Sequence, residues 1–312
     1  MIQVDKLSKV FGSYRAVDDI SFEVGQGEIL GFLGPNGAGK STTMKMITCF
    51  LPPTSGTAKV CGYDILENSI QVRENIGYLP ESAPSYHEML VEEFLRFTGE
   101  VRGLSGNDLQ KHVDRVLEQT ALQDVKDQLI DTLSKGYRQR TCLAQSLLSD
   151  PPVLILDEPT DGLDPNQKHE VRTLIKRISE KRTILVSTHI LEEVEAVCSR
   201  AIIIAKGKIV ADGTPNQLLA RSSYHNAISL RVKSLESESL LAKLQQIANV
   251  QTVQLLDAGK NDTASFQLFP QQGKSILNEV EQFIQNERLH VEQLYSEKGR
   301  LDEVFRKVTL NV

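Results

Sequence analysis

The sequence predicts an α/β protein with a second, smaller domain. We expect a mixed α/β core over residues 1–220, with a mostly helical insertion at about 90–148, and a small α+β domain over 221–312. Three observations indicate this organisation. Apolar segments of strand length alternate with helical segments after residue 150. A glycine-rich turn at 34–39 joins a strand to a helix, and the pattern changes character after residue 221.

The first ninety residues have mainly the pattern of strands. Alternating apolar positions in MIQVDKL, AVDDISFEV and EILGFLG predict strands, and a helix is expected from Lys40 to about Phe50. A further strand follows in the segment GTAKVCGYDI, and ENIGYLPE predicts a short strand that ends in a loop. The strand, turn and helix around residue 34 form the first unit of the predicted core.

The second half of the core alternates regularly. After the helical insertion come the strand VLILDEP, the helix NQKHEVRTLIKRIS, the strand TILVSTH, the helix ILEEVEAVCS and the strand region AIIIAKGKIVADG. Strands that alternate with helices in this way favour a parallel sheet. From about residue 222 onward, shorter strands and helices predict the separate α+β domain.

Composition and charge exclude several classes of protein. With 35 lysines and arginines against 41 acidic residues the net charge is −6, which argues against a dominant nucleic-acid role. No apolar run approaches the roughly 18–20 residues of a membrane span, and the N-terminus lacks the pattern of a signal peptide. The four cysteines are widely spaced, which disfavours a zinc site or a disulfide framework. We therefore expect a cytoplasmic protein whose membrane role, if any, depends on a partner.

The segment GPNGAGKS at 34–41 matches the phosphate-loop pattern G-x-x-x-x-G-K-[ST] at every fixed position. Backbone N–H groups of such a loop, together with a helix N-terminus, surround phosphate oxygens. Lys40 is expected to reach the β- and γ-phosphates of a bound nucleotide, and the Ser41 hydroxyl to ligate Mg²⁺. A glycine-rich turn with a chance lysine is the alternative, which the strand–turn–helix context disfavours. The predicted nucleotide-binding residues here are Gly34, Pro35, Asn36, Gly37, Ala38, Gly39, Lys40, Ser41 and Thr42.

Two later strands end in polar side chains. VLILDEP ends in Asp157, expected to hold Mg²⁺ through water, and Glu158, which could polarise an attacking water. Two acids that cap a helix are the alternative for this pair. TILVSTH ends in His189, which could contact the γ-phosphate, although a lone histidine at a strand end is more often structural.

Taken in order, these motifs resemble those of the nucleotide-binding subunit of ABC transporters over about residues 1–220. The resemblance includes Phe11 before GSYRAVDDISFEV, the phosphate loop, YLPE, LSKGY at 133–137, LILDEP, DGLD at 161–164 and His189. It implies that Phe11 stacks on adenine, that Asp164 belongs to a loop crossing a dimer interface, that Glu158 is the catalytic base and that His189 contacts the γ-phosphate.

Two positions depart from the family pattern. Glu81 stands where the family has a glutamine that ligates Mg²⁺, and the signature LSGGQ appears with Lys135 and Tyr137 in place of a glycine and the glutamine. Ser134 and Gly136 keep a hydroxyl and a backbone N–H at a helix start, so a working site is expected. The departures, and the ending LDEVFRKVT, resemble the subclass that pairs with type-2 export permeases for drugs, polysaccharides or gliding systems.

The resemblance implies a mechanism and partners. A second copy of the subunit would supply Ser134 and Gly136 to the far side of the γ-phosphate, so that two ATP molecules lie between two subunits. A membrane-spanning permease would dock on the helical insertion and the loop after Glu81, near Tyr86 and Met89, at the cytoplasmic face of the membrane. No nucleic-acid partner is expected. The alternatives are a soluble ABC ATPase that acts on nucleic acid or ribosomes, and a non-hydrolysing ATP-binding regulator.

Overall fold

The computed structural model describes residues 1–82, 86–233, 237–258 and 263–310. The chain divides into two compact units, one of them Met1–Pro215 and the other beginning at Asn216. The functional domain boundary expected after residue 220 stays a prediction. No helix within the described ranges is both long and apolar enough to cross a membrane.

The first unit contains two sheets. Its strands, in chain order, are β1 (Ile2–Phe11), β2 (Tyr14–Val24), β3 (Ile29–Leu33), β4 (Ser55–Val60), β5 (Tyr63–Asp64), β6 (Ile76–Leu79), β7 (Val153–Asp157), β8 (Thr183–Thr188), β9 (Arg200–Ala205) and β10 (Lys208–Gly213). One sheet has the order β2-β1-β4-β5 and is antiparallel. The other has the order β10-β9-β3-β8-β7-β6 and is parallel except at β10.

The helices of the first unit connect these strands. They are α1 (Lys40–Ile47), α2 (Ser69–Glu74), α3 (Val91–Val101), α4 (Gly106–Gln119), α5 (Lys135–Leu147), α6 (Pro165–Ser179) and α7 (Leu191–Val197). Helices α3, α4 and α5 occupy the segment expected to be a helical insertion. Helix α1 ends at Ile47, earlier than the expected Phe50, because the chain turns at Cys49, which has a positive φ of 59°.

The parallel arrangement places the functional strand ends together. β3, β7 and β8 are buried along their whole length, which explains why each contains a run of apolar residues and does not alternate between apolar and polar. In register, Leu33 pairs with Thr188 and Asp157 with Ser187. The carboxyl ends of these strands therefore meet at one edge, where open α/β sheets bind ligands.

One hydrophobic core joins both sheets to α1. Buried residues from β1 and β2 pack with residues of β3 and with Met44 and Ile47 of α1. Phe22 and Phe32, from the two sheets, have ring centroids 5.5 Å apart. This packing fixes α1 against both sheets.

The second unit has its own core. A short helix, α8 (Pro215–Leu219), is followed by β11 (Ile228–Lys233), α9 (Ser237–Leu244), β12 (Val250–Ala258), β13 (Thr263–Pro270), α10 (Leu277–Asn286), β14 (His290–Ser296) and α11 (Leu301–Leu310). The sheet is antiparallel with the order β12-β13-β11-β14. A β-α-β-β-α-β succession with this order is the ferredoxin-like arrangement. Helices α9 and α10 contribute Leu240, Leu244 and Val280 to a core shared with Leu230 and Phe266.

Candidate functional site

The loop between β3 and α1 has the shape of a phosphate cradle. Gly37 and Gly39 have φ values of 77° and 108°, which favour glycine. A Cβ added at Gly34 would lie 2.5 Å from the carbonyl oxygen of Ile204, and one at Gly39 would lie 2.5 Å from that of Ala16. The loop therefore needs these glycines both for its backbone conformation and for its close fit against the neighbouring strands.

Lys40 lies across this loop. Its side chain is only 6% exposed, and its Nζ donates hydrogen bonds to the carbonyl oxygens of Gly34 at 2.7 Å and Pro35 at 3.3 Å. The same Nζ lies 3.5 Å from Oε1 of Glu158. A buried ammonium beside the N-terminus of α1 concentrates positive charge where the cradle is concave.

The ends of β7 and β8 form a hydrogen-bonded acidic group. Ser187 Oγ donates to Asp157 Oδ1 and accepts a 2.9 Å hydrogen bond from the backbone N–H of Glu158. Glu158 has a φ of 49°, a conformation that costs free energy for a residue with a side chain. Its Oε2 lies 2.9 Å from Nδ1 of His189. The strand ends thus fix Glu158 between Lys40 and His189.

A buried hydroxyl lies near two of the predicted metal ligands. The hydroxyl of Tyr78, on β6, is buried without a hydrogen-bond partner. Burial raises the pKa of Tyr78, and the negative charges of Asp157 and Glu81 raise it further. The carboxylates of Asp157 and Glu81 therefore both lie close enough to Tyr78 to affect its ionisation. Hydroxyl and carboxylate oxygens are the ligands that suit a hard divalent cation.

A cavity of about 530 Å³ lies between the phosphate loop, Glu158 and His189. Most of the predicted nucleotide and catalytic residues are brought together there. Gly34 and Pro35 do not line the cavity, but their carbonyl oxygens accept hydrogen bonds from Lys40, which does. Asp157 does not line it either and accepts a hydrogen bond from Ser187. The lining residues are Phe11, Tyr14, Ala16, Asn36, Gly37, Ala38, Gly39, Lys40, Ser41, Thr42, Glu81, Glu158, Asp161 and His189.

The predicted residues Ser134, Gly136 and Asp164 are not among the lining residues of this cavity. Ser134 is the N-cap of α5, where its Oγ accepts from the N–H of Tyr137 at 3.4 Å. Asp164 is the N-cap of α6, where its Oδ1 accepts from the N–H of Gln167 at 3.0 Å. Ser134 and Asp164 are both exposed, so they lie at helix starts on the surface of the first unit.

The substituted signature residue Lys135 contacts the loop after β7. Its Nζ lies 3.8 Å from Oδ2 of Asp161, and its side chain lies against Gly162. Gly162 has a φ of 64°, and a Cβ there would collide with Lys135. Since Asp161 lines the cavity, Lys135 connects the signature segment to the wall of its own subunit's site.

An aromatic cluster with two exposed rings, Tyr86 and Phe97, and one buried ring, Phe94, lies at the start of the helical insertion. Tyr86 is 59% exposed, and its ring centroid lies 5.5 Å from that of Phe97 and 6.3 Å from that of Phe94. Met89 is half-buried beside it, and its N–H donates to the carbonyl oxygen of Tyr86 at 3.0 Å. Part of the predicted docking loop, residues 83–85, lies outside the described residues.

Sequence reasoning missed four residues of the site. Tyr14 and Ala16 line the cavity, and the Tyr14 hydroxyl donates to the carbonyl oxygen of Gly37 at 3.1 Å. Asp161 also lines the cavity, and Ser187 connects Asp157 to Glu158. The position of Ser187 two residues before His189 was the available signal, but its role depends on the pairing of β7 with β8.

Comparison with known proteins identifies the class and the family. A sheet edge with a phosphate loop, a buried lysine and strand-end acids defines a P-loop nucleotide-binding protein. Residues 17–161 match the family model described as ABC transporter. The chain is 35% identical over 254 residues to the linearmycin resistance ATP-binding protein LnrL of Bacillus subtilis (strain 168), and the match covers 81% of each chain. The chain therefore belongs to the ABC transporter family as an ATP-binding protein, which confirms the predicted family.

Two further matches extend this result. The chain is 42% identical over 224 residues to the probable multidrug ABC transporter ATP-binding protein YbhF of Escherichia coli (strain K12). That match covers 72% of this chain but 39% of YbhF, so the chain spans about two fifths of that relative. A solved structure of an ATP-binding subunit of an ABC transporter matches with a TM-score of 0.64 and 32% identity, over 70% of this chain and 91% of that one. The predicted ABC ATPase fold is confirmed.

Proposed function

We propose that the chain is the ATP-hydrolysing subunit of an exporter and that it acts as a dimer on a separate membrane permease. The observation that carries the proposal is the meeting of Lys40, Glu158 and His189 in one cavity at the end of a phosphate loop. Phosphate-binding and proton-accepting groups are then within reach of the same phosphoryl group. This contact between Glu158 and His189 also disfavours a non-hydrolysing regulator.

Different residues of the cavity bind ATP and hydrolyse it. Lys40 and the N-terminus of α1 bind the phosphates, and Phe11 and Tyr14 offer exposed rings to the adenine. Glu158 accepts a proton from the attacking water, while His189 orients its carboxylate through the 2.9 Å contact. Ser41, Glu81 and Asp157 would hold Mg²⁺, which neutralises phosphate charge. The unpartnered Tyr78 hydroxyl near the two carboxylates supports the fit of a cation.

The dimer is supported by what one subunit's cavity lacks. Ser134 and Gly136 do not line it, yet Ser134 is exposed at the start of α5. In a two-fold arrangement, each copy would present this helix start to the ATP of the other. Asp164 is exposed at the neighbouring start of α6 and would lie at the same interface. Closure of the dimer would then complete the site and couple hydrolysis to association.

The permease would dock on the exposed rings of Tyr86 and Phe97, while Phe94 is buried against Tyr86. An exposed tyrosine held by two phenylalanines offers a rigid apolar surface to a short helix of a partner. The proposal places the chain on the cytoplasmic face of the membrane through this contact. The drug-related names of YbhF and LnrL support export as the direction of transport.

Glu158→Gln tests hydrolysis directly. The purified variant should bind ATP but turn it over at least about 100-fold more slowly, because the proton acceptor is lost. It should also accumulate as an ATP-bound dimer in size-exclusion chromatography. Lys40→Ala should lose ATP binding, whereas Lys45→Ala, exposed on the same helix, should behave as the wild type. ATPase activity of Glu158→Gln equal to that of the wild type would refute the assignment.

Ser134→Arg tests the dimer separately. The variant should bind ATP with nearly unchanged affinity, because Ser134 does not line the cavity of its own subunit. It should neither dimerise with ATP nor hydrolyse it. Ser105→Arg at the start of α4, another exposed serine before a helix, is the matched control and should dimerise normally. An ATP-dependent dimer of Ser134→Arg would contradict the two-subunit arrangement.

A further inference from the structure

We propose that Glu193 is a positioning residue that holds Glu158 and His189 in the geometry for hydrolysis. The proposal rests on the proposed function, because it assigns the support of that same pair. Glu193 lies in the first turn of α7 and does not line the cavity. It therefore acts through other residues and not on the nucleotide.

Glu193 closes a ring of contacts around the catalytic pair. Its Oε1 accepts a hydrogen bond from the Thr160 hydroxyl, and its Oε2 accepts one from the Thr188 hydroxyl at 2.7 Å. Thr160 lies two residues after Glu158, and Thr188 immediately precedes His189. The ring is completed where Glu158 meets His189 at 2.9 Å. A single carboxylate thus connects the two chain segments whose ends carry the reacting groups.

Burial makes this connection rigid. Glu193 is 5% exposed, Thr160 2% and Thr188 0%. Arg172 of α6 lies 3.7 Å from Oε1 of Glu193 and supplies the opposing charge. Thr188 Oγ1 also accepts a 3.0 Å hydrogen bond from the N–H of Ile190, on the other side of His189. At this burial little water competes for the carboxylate, and its hydrogen bonds are electrostatically stronger than they would be in water.

The backbone of Glu158 is strained, and the ring of contacts helps to hold it in that conformation. A φ of 49° is strained for a residue with a side chain and persists only where the surroundings enforce it. Ser187 holds the N–H of Glu158 from one side at 2.9 Å. Glu193 holds the segment after it through Thr160. With both restraints, the carboxylate of Glu158 points toward Lys40 and His189; without the second, the segment can relax.

The test compares Glu193→Gln with Glu192→Gln. Both substitutions remove one carboxylate from the first turn of α7, but Glu192 is exposed and does not belong to the ring. Glu193→Gln should lower kcat about 10- to 100-fold, the scale of a small misplacement of reacting groups. The KM for ATP should stay within about threefold, because phosphate binding is untouched. Glu192→Gln should retain the wild-type kcat.

A second pair of variants guards against loss of folding. Thr160→Val keeps the shape of the side chain and removes its hydroxyl, whereas Thr160→Ser keeps the hydroxyl. We expect Thr160→Val to lower kcat about as much as Glu193→Gln does. Thr160→Ser should keep most of the wild-type kcat. Since Thr160 and Glu193 act through one bond, the double variant should lose little more than either single variant.

Hydrogen exchange provides a readout that does not depend on hydrolysis. In Glu193→Gln, amide exchange should rise at 158–161 and 187–190 and stay unchanged in the helices of the insertion. A wild-type chain that does not hydrolyse ATP would refute the proposed function, and the exchange pattern would still decide on the ring. Wild-type kcat with unchanged exchange in Glu193→Gln, or an equal loss in Glu192→Gln, would overturn the inference.

Discussion

Ser187→Ala removes the serine that connects the two acids at the end of β7. The side chain is fully buried, and its hydroxyl both donates to Asp157 and accepts from the N–H of Glu158. Alanine keeps the strand and the packing of β8 but satisfies neither group. The substitution therefore isolates the polar contribution of one atom, the Oγ, to the stability of the site.

The magnitude follows from the two bonds. A hydrogen bond to a carboxylate contributes about 1.5–3 kcal/mol, and one from a backbone N–H about 0.5–1.5 kcal/mol. The loss of both should lower the free energy of unfolding of the first unit by about 2–4 kcal/mol. For a unit of this size, each kcal/mol shifts the midpoint of thermal unfolding by roughly 2–4 °C. The expected decrease is about 5–15 °C.

Ser146→Ala is the matched control for Ser187→Ala. Ser146 is also fully buried, but its Oγ donates a single 2.7 Å bond to a neutral acceptor, the carbonyl oxygen of Leu143. Calorimetry of the two variants should show a decrease for Ser146→Ala of about 1 kcal/mol, clearly smaller than that for Ser187→Ala. Equal decreases would refute the reasoning that the charged acceptor and the second bond make Ser187 special.

Three further predictions concern other parts of the chain. Lys135→Ala should change the free energy of unfolding by less than about 1 kcal/mol in urea titrations, because its ion pair is exposed on both sides. Burial raises the pKa of Cys142 and Cys198 to about 12, so iodoacetamide at pH 8 should label them only after unfolding, as mass spectrometry can check. Burial opposes ionisation of Glu303, but hydrogen bonds from Ser222 and its neighbour outweigh it and lower the pKa. A lowered pKa stabilises the fold above the pKa of the unfolded chain, and this is lost as the pH falls through the folded value. Glu303→Gln should thus destabilise the second unit at pH 7, and the difference should shrink in acid.

The order of the elements could be predicted because it depends on local patterns. Buried parallel strands contain runs of apolar residues, so β3, β7 and β8 were evident from their sequences. The ferredoxin-like order of the second sheet could not be predicted, since it depends on pairing between strands far apart in sequence. The end of α1 was placed too late because apolar residues continue past Ile47, while the positive φ of Cys49 is set by tertiary contacts.

The site divides in the same way. The phosphate loop is one continuous segment, and the spacing of its glycines and lysine is enough to indicate phosphate binding. Its residues could therefore be predicted one by one. Ser187, Thr160 and Glu193 are ordinary polar residues in sequence, and their importance arises from contacts across β7, β8 and α7. Such contacts leave no local signature, because hydroxyls and carboxylates occur equally at helix caps and on surfaces.

Lys135 stands where the family signature has a glycine, and its contacts explain what the motif alone leaves open. Its ammonium reaches Asp161, which lines the cavity of its own subunit, and its stem covers Gly162. Because the pair is exposed, its contribution to folding is small. Its position is nevertheless constrained, since it follows Ser134 at the exposed start of α5. In the proposed dimer, Lys135 would therefore connect the ATP site of one subunit, through Asp161, to the helix start that the same subunit presents to the other ATP.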